Sequence, residues 1–102
     1  MDHELAEALA GLASRVNNLA ILHTGDDSRR LLAQQDQLSK LALAAITKEL
    51  NAEQASYQAA LQGLRDAITY IGNADTQLSS VAKGIKLVAK AITLATKALA
   101  AV

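Results

Sequence analysis

The chain has 102 residues, ten basic and ten acidic, and a formal net charge of zero. It contains no Cys, Pro, Trp or Phe, and Ala and Leu together fill 39 positions. These numbers exclude a disulfide scaffold, thiolate metal centres and thiol catalysis, and they speak against a surface that tracks nucleic acid throughout.

Half of the chain is apolar, which argues against intrinsic disorder, and its length reads as one domain spanning residues 1–102. Ala and Leu are strong helix formers, nothing interrupts them as Pro would, and no segment alternates with the period of two that strands need. Helix is therefore expected throughout. The first helix is expected over about 2–23. Leu5, Leu9, Leu12, Val16 and Leu19 recur at spacings of 4, 3, 4 and 3, a coiled-coil-like seam. Asp2, Glu4 and Glu7 fall in its first turns, where the helix dipole favours negative charge. Gly25 suits the left-handed position after a helix end, and Thr24 or Asp26 can cap the next helix.

The second helix is expected over about 27–50, with a wide apolar set: Leu31, Leu32, Leu38, Leu41, Leu43, Ile46 and Leu50. Asn51 followed by Gln54 resembles a capping box. No Gly or Pro stands there, so one rod running through to Ile71 is the alternative. The third helix, about 52–71, repeats the 4, 3, 4, 3 spacing with Tyr57, Leu61, Leu64, Ile68 and Ile71. Gly72-Asn73 ends it. Residues 8–12 and 60–64 echo each other at an offset of 52, which shared heptad spacing explains without duplication.

The fourth helix, about 74–101, is the most informative. Leu78, Ile85, Ile92 and Leu99 fall every seven residues, and Val81, Val88, Ala95 and Val102 form a second row. Beyond Asp75 the only charges are Lys83, Lys86, Lys90 and Lys97. At about 100° per residue they lie within an arc of roughly 60°. The rest of the circumference is apolar or small, wider than the ~100° stripe of an ordinary surface helix. Such a helix calls for burial on several sides, in its own bundle, against a second copy or partner helix, or in a lipid interface with the lysines among head groups. Residues 1–53 carry five basic and eight acidic groups, and residues 54–102 five basic and two acidic. That asymmetry favours packing within protein. Gly11, Gly63 and Gly84 fall inside expected helices, either as points of close helix approach or as tolerated residues.

Chemistry is sparse. His3, third from a free amine, has the spacing of a square-planar copper or nickel set, but nothing else supports a metal, and the favoured reading is an exposed ion pair with Glu7 on the first turn. His23 reads as a helix-end histidine at the negative end of the dipole. Asp26-Asp27 lacks the alternating oxygen ligands of a calcium loop. There is no nucleophile elbow, phosphate loop or dinucleotide fingerprint, so neither catalysis nor a cofactor is expected. The acidic Met1-Asp2-His3-Glu4 start is unlike a secretory signal, and the longest apolar run, Leu41–Ile46, is far short of a ~18-residue span.

The reading is an all-α antiparallel bundle of three or four Ala/Leu-rich helices with coiled-coil-like packing. Its expected role is non-enzymatic: self-association or binding of a partner helix, without nucleic acid. Leu61, Leu64, Ile68, Ile71, Leu78, Ile85, Val88, Ile92 and Leu99 are the candidate interface or core. The alternative is a small membrane-active protein using 76–102, with Lys83, Lys86, Lys90 and Lys97 as the membrane or anion contact. A cytoplasmic location is expected, with membrane association or export without a signal left open.

Overall fold

Helix propensity and the 4, 3, 4, 3 seams produce four helices in a computed structural model, which describes residues 3–73 and 78–100. They are α1 (Glu4–Ile21), α2 (Gly25–Thr47), α3 (Ala55–Asn73) and α4 (Leu78–Ala100). The expected starts at 2 and 74 and the expected end at 101 lie outside the described residues. At 1.5 Å per residue a 23-residue helix is about 35 Å long, close to the 38 Å long axis of the 38 × 19 × 18 Å molecule.

The connections follow from local chemistry. Gly25 takes φ +71°, the one positive value among the described residues, and lets α1 turn into α2 across residues 22–24. The Ser28 hydroxyl donates to the carbonyl of Ala20 at 3.0 Å and ties the two helix ends together. Contrary to the rod, α2 stops at Thr47, where Lys48 adopts extended backbone (φ −106°, ψ 144°). Asn51 accepts the Glu53 N–H on its side-chain oxygen at 2.9 Å, forming a local turn. That turn precedes the helix instead of capping it, so α3 begins at Ala55, three residues later than expected for its start.

Each helix packs against two others: α1 against α2 and α3, and α4 against α3 and α2. The pairs α1/α4 and α2/α3 share no contact among the described residues and form the diagonals of a square. α1 and α2 run antiparallel, as do α3 and α4, where Gly63 lies beside Ala91 and Leu94, and Gly84 beside Tyr70 and Ile71. The neighbours α1 and α3 run parallel, because Leu5 and Tyr57, near their starts, are hydrogen bonded. So do α2 and α4, tied by Gln34 to Ile85 and by Lys48 to Leu99. The fold is therefore two αα-hairpins stacked in the same orientation. Residues 48–54 cross one end of the bundle along a diagonal of roughly 11–14 Å at ordinary helix spacing, and Leu50 and Ala52 pack there against the core.

Leu5, Leu9, Leu12, Val16 and Leu19 of α1 are all buried, as are Tyr57, Leu61, Leu64 and Ile71 of α3, with Ile68 half-buried. Ten of the 24 buried apolar residues among the described ones are alanine, so the helices meet on small side chains and the core is thin for its length. Gly63 marks a close approach: a Cβ there would stand 2.9 Å from Leu94 Cδ1. Gly11 and Gly84 mark none, with only ordinary van der Waals neighbours.

Candidate interaction face

The wide apolar arc of α4 is used inside the chain. Val81, Val88, Ala91, Ala95, Ala98 and Leu99 are buried, and Ile85, Leu87, Ile92 and Leu94 are half-buried against the core. From Leu94 round to Ile85 these residues span about 180° of the helix, because α3 covers one flank and α2 the other. Of the residues expected to form interface or core, Leu61, Leu64, Ile71, Val88 and Leu99 lie in the core, and Ile68, Ile85 and Ile92 at its margin. The side chain of Leu78 lies outside the described ones. Lys83, Lys86, Lys90 and Lys97 are all exposed, and Lys83 Nζ sits 5.1 Å from the centre of the Tyr70 ring, within cation–π range.

The apolar surface that stays open is elsewhere. Among the described residues the exposed large hydrophobics are Ile21 (73%), Leu22 (63%), Leu32 (46%), Leu43 (66%) and Ile46 (52%). All five belong to the first hairpin. Leu32, Leu43 and Ile46 project about 80–140° around α2 from the buried Leu38, and Ile21 about 120° around α1 from the buried Leu9. These directions turn away from α3 and α4, toward the outer side of the α1–α2 pair.

Two adjoining depressions of about 300 and 440 Å³ run along that side. Ala10, Ala42 and Ile46 line both. His3, Ala6 and Glu7 close the first, and Ala13, Ser14, Gln35, Ser39 and Leu43 close the second. Small residues line the valley from both helices, so no side chain fills the space between them. On the opposite hairpin Leu94 lies over Gly63 and fills the equivalent space. Charge around the open face is light. Asp36 is paired with Lys40 at 2.9 Å along α2, and Glu4 is drawn to the other side by Arg65 of α3. Glu7 is the carboxylate lining the groove.

The copper-type set at His3 depends on residues 1 and 2, outside the described ones. The described residues hold no group of three or more His, Asp or Glu placed to share a metal ion. No described helix is long and apolar enough to cross a membrane. His23, in the α1–α2 turn, has its Nε2 buried with no hydrogen-bond partner.

The seam residues of α1 and α3 were readable from spacing alone, but the open face was not. Its signal lies in α2, where Leu31–Leu32 and Leu41–Leu43 carry more apolar width than its two neighbours α1 and α4 cover, leaving Leu32 and Leu43 exposed. Comparison with protein-family models, with curated proteins and with solved structures finds no match for this chain.

Proposed function

We propose that this protein is a non-enzymatic helical-bundle protein that works by docking helical surface onto the outer face of its α1–α2 hairpin. The observation that carries the reading is the segregation of exposed apolar side chains. Leu43 and Ile46 line the valley, and Ile21 and Leu32 are exposed on the same side of the hairpin nearer its turn, while the apolar residues of α4 pack in or against its own bundle. Scattered surface leucines need no explanation, but an apolar patch gathered around a groove marks an interaction site. A valley between two antiparallel helices, floored by Ala and Ser, is the shape that receives the ridge of another helix.

The test is a titration of the isotope-labelled protein with a synthetic amphipathic peptide carrying leucines at i, i+3, i+4 and i+7 and lysines elsewhere. Amide shifts are expected to concentrate at Ala10, Ser14, Ser39, Leu43 and Ile46. Shifts confined to α3 and α4, or none, would sink the reading.

A second reading rests on the lysine arc of α4. Four exposed ammonium groups along one side can adsorb to an anionic lipid surface, and 76–102 could then leave the bundle and lie in the interface. That step exposes Val81, Val88, Ala91, Ala95 and Leu99 before lipid covers them. Dye release from anionic vesicles, abolished by Lys86→Glu with Lys90→Glu, is its expected signature.

A further inference from the structure

We infer that the occupant of the α1–α2 face is a second copy of this chain, docked face to face so that two first hairpins form the centre of an eight-helix dimer. The inference rests on the docking reading above and adds the partner.

The first argument is size. One lateral face of the bundle measures 38 × 19 Å, a footprint of roughly 700 Å², near the ~800 Å² per partner of a standard stable interface. The exposed apolar residues stand on both helices, Ile21 on α1 and Leu32, Leu43 and Ile46 on α2. A single partner helix, about 10–12 Å across, fills the valley and leaves part of this set in water. A partner as long and as wide as the hairpin covers all of it, and an identical hairpin has those dimensions by construction.

The second argument is chemical match. Apolar residues flank the face, Ser14, Gln35 and Ser39 sit between them, and Asp36 already has its counter-ion in Lys40. Two such faces bury apolar against apolar, bring few like charges together, and close as an isologous pair. The competing arrangement continues the stacking seen within the chain, with the second hairpin of one copy on the first hairpin of the next. It presses the exposed Lys83 and Lys90 toward Leu43 and Ile46, where Glu7 is the carboxylate that lines the groove. Desolvating ammonium groups without partners is costly, so face-to-face closure is favoured over an open-ended stack.

Sedimentation equilibrium of the full chain at rising concentration tests this. The expected result is a mass that climbs from 10.7 kDa to twice that value and stops. Leu43→Asp with Ile46→Asp should hold the chain at the monomer mass with unchanged circular dichroism. Ser14→Arg with Ser39→Arg should do the same by bulk, and Lys83→Glu with Lys90→Glu should leave the dimer intact. A mass that keeps growing, or one that collapses on the lysine substitutions, overturns the face-to-face pair in favour of head-to-tail stacking. A monomer at every concentration also overturns it. The peptide titration then separates the two ideas: shifts in the groove keep the docking face and remove the second copy, whereas silence removes both.

Discussion

The hydroxyl of Tyr57 accepts the backbone N–H of Leu5 at 3.3 Å, across 52 residues of chain. Leu5 lies in the first turn of α1, where N–H groups have no partner within the helix. His3, at the N-cap position, supplies no side-chain hydrogen bond. A buried tyrosine from α3 therefore does the work of a cap, and Glu4 reaches Arg65 of α3 beside it. The start of α1 is thus set by tertiary structure.

Tyr57→Phe keeps the ring in the core and removes that acceptor. The expected loss is about 1 kcal/mol, or a melting temperature lower by about 4–8 °C for a chain of this size. Hydrogen exchange at Leu5 should accelerate more than exchange in the middle of α1. An unchanged melting temperature would show that water serves the Leu5 N–H equally well.

Gln34 is the buried polar side chain among the described residues, lying where α2 meets α4. Its Nε2 donates to the carbonyl of Ile85 at 2.9 Å, and its Oε1 is buried without a partner. An unsatisfied buried acceptor costs about 1–3 kcal/mol, while one directional bond can fix how two helices align. Gln34→Leu is expected to raise the urea midpoint, by about 1 kcal/mol in stability, and to loosen the α2/α4 register. Broadened or doubled amide resonances in both helices are the measurement. A variant that is less stable and still sharply ordered contradicts this account.

Much of the architecture was legible in α1 and α3, where the 4, 3, 4, 3 residues are the ones facing inward. Spacing works there because each helix has a single narrow seam. In α2 it fails: Leu31 is buried and Leu32 exposed, yet both belong to one apolar set on a helical wheel. Only the position of α1 decides between them. The width of the α4 arc carried a true signal, namely burial on two flanks. Periodicity does not reveal whether helices, a second chain or lipid provide that burial. The diagonal crossing at 48–54 was also out of reach, since a seven-residue connection can join neighbours or diagonals alike.

Glycines separate propensity from packing. Gly11 and Gly84 would meet nothing closer than 3.7 Å on gaining a methyl group. Gly11→Ala and Gly84→Ala are each expected to stabilise by about 0.5–1 kcal/mol, the helix-propensity difference. At Gly63 the new Cβ meets Leu94 Cδ1 at 2.9 Å. That leucine has to rotate away, offsetting most of the same gain, so Gly63→Ala should be close to neutral. Parallel urea titrations of the three variants check the order, and a Gly63→Ala gain equal to the other two would show that Leu94 is not held in place.

Leu38 and Leu43 lie five residues apart on α2 and serve different purposes. Leu38 is fully buried, whereas Leu43 is 66% exposed on the outer valley. Leu38→Ala opens a cavity and should cost about 2–5 kcal/mol at any protein concentration. Leu43→Ala removes little from the monomer and should fall within about 0.5 kcal/mol of the parent at low concentration. A dimer that buries Leu43 adds stability to the parent by mass action as concentration rises, and Leu43→Ala forfeits part of that increment. The difference in melting temperature between parent and Leu43→Ala should therefore widen with concentration, while the Leu38→Ala difference stays broadly the same. If the Leu43→Ala difference is constant across the range, the outer face contributes nothing through self-association, and its apolar residues must answer to another partner.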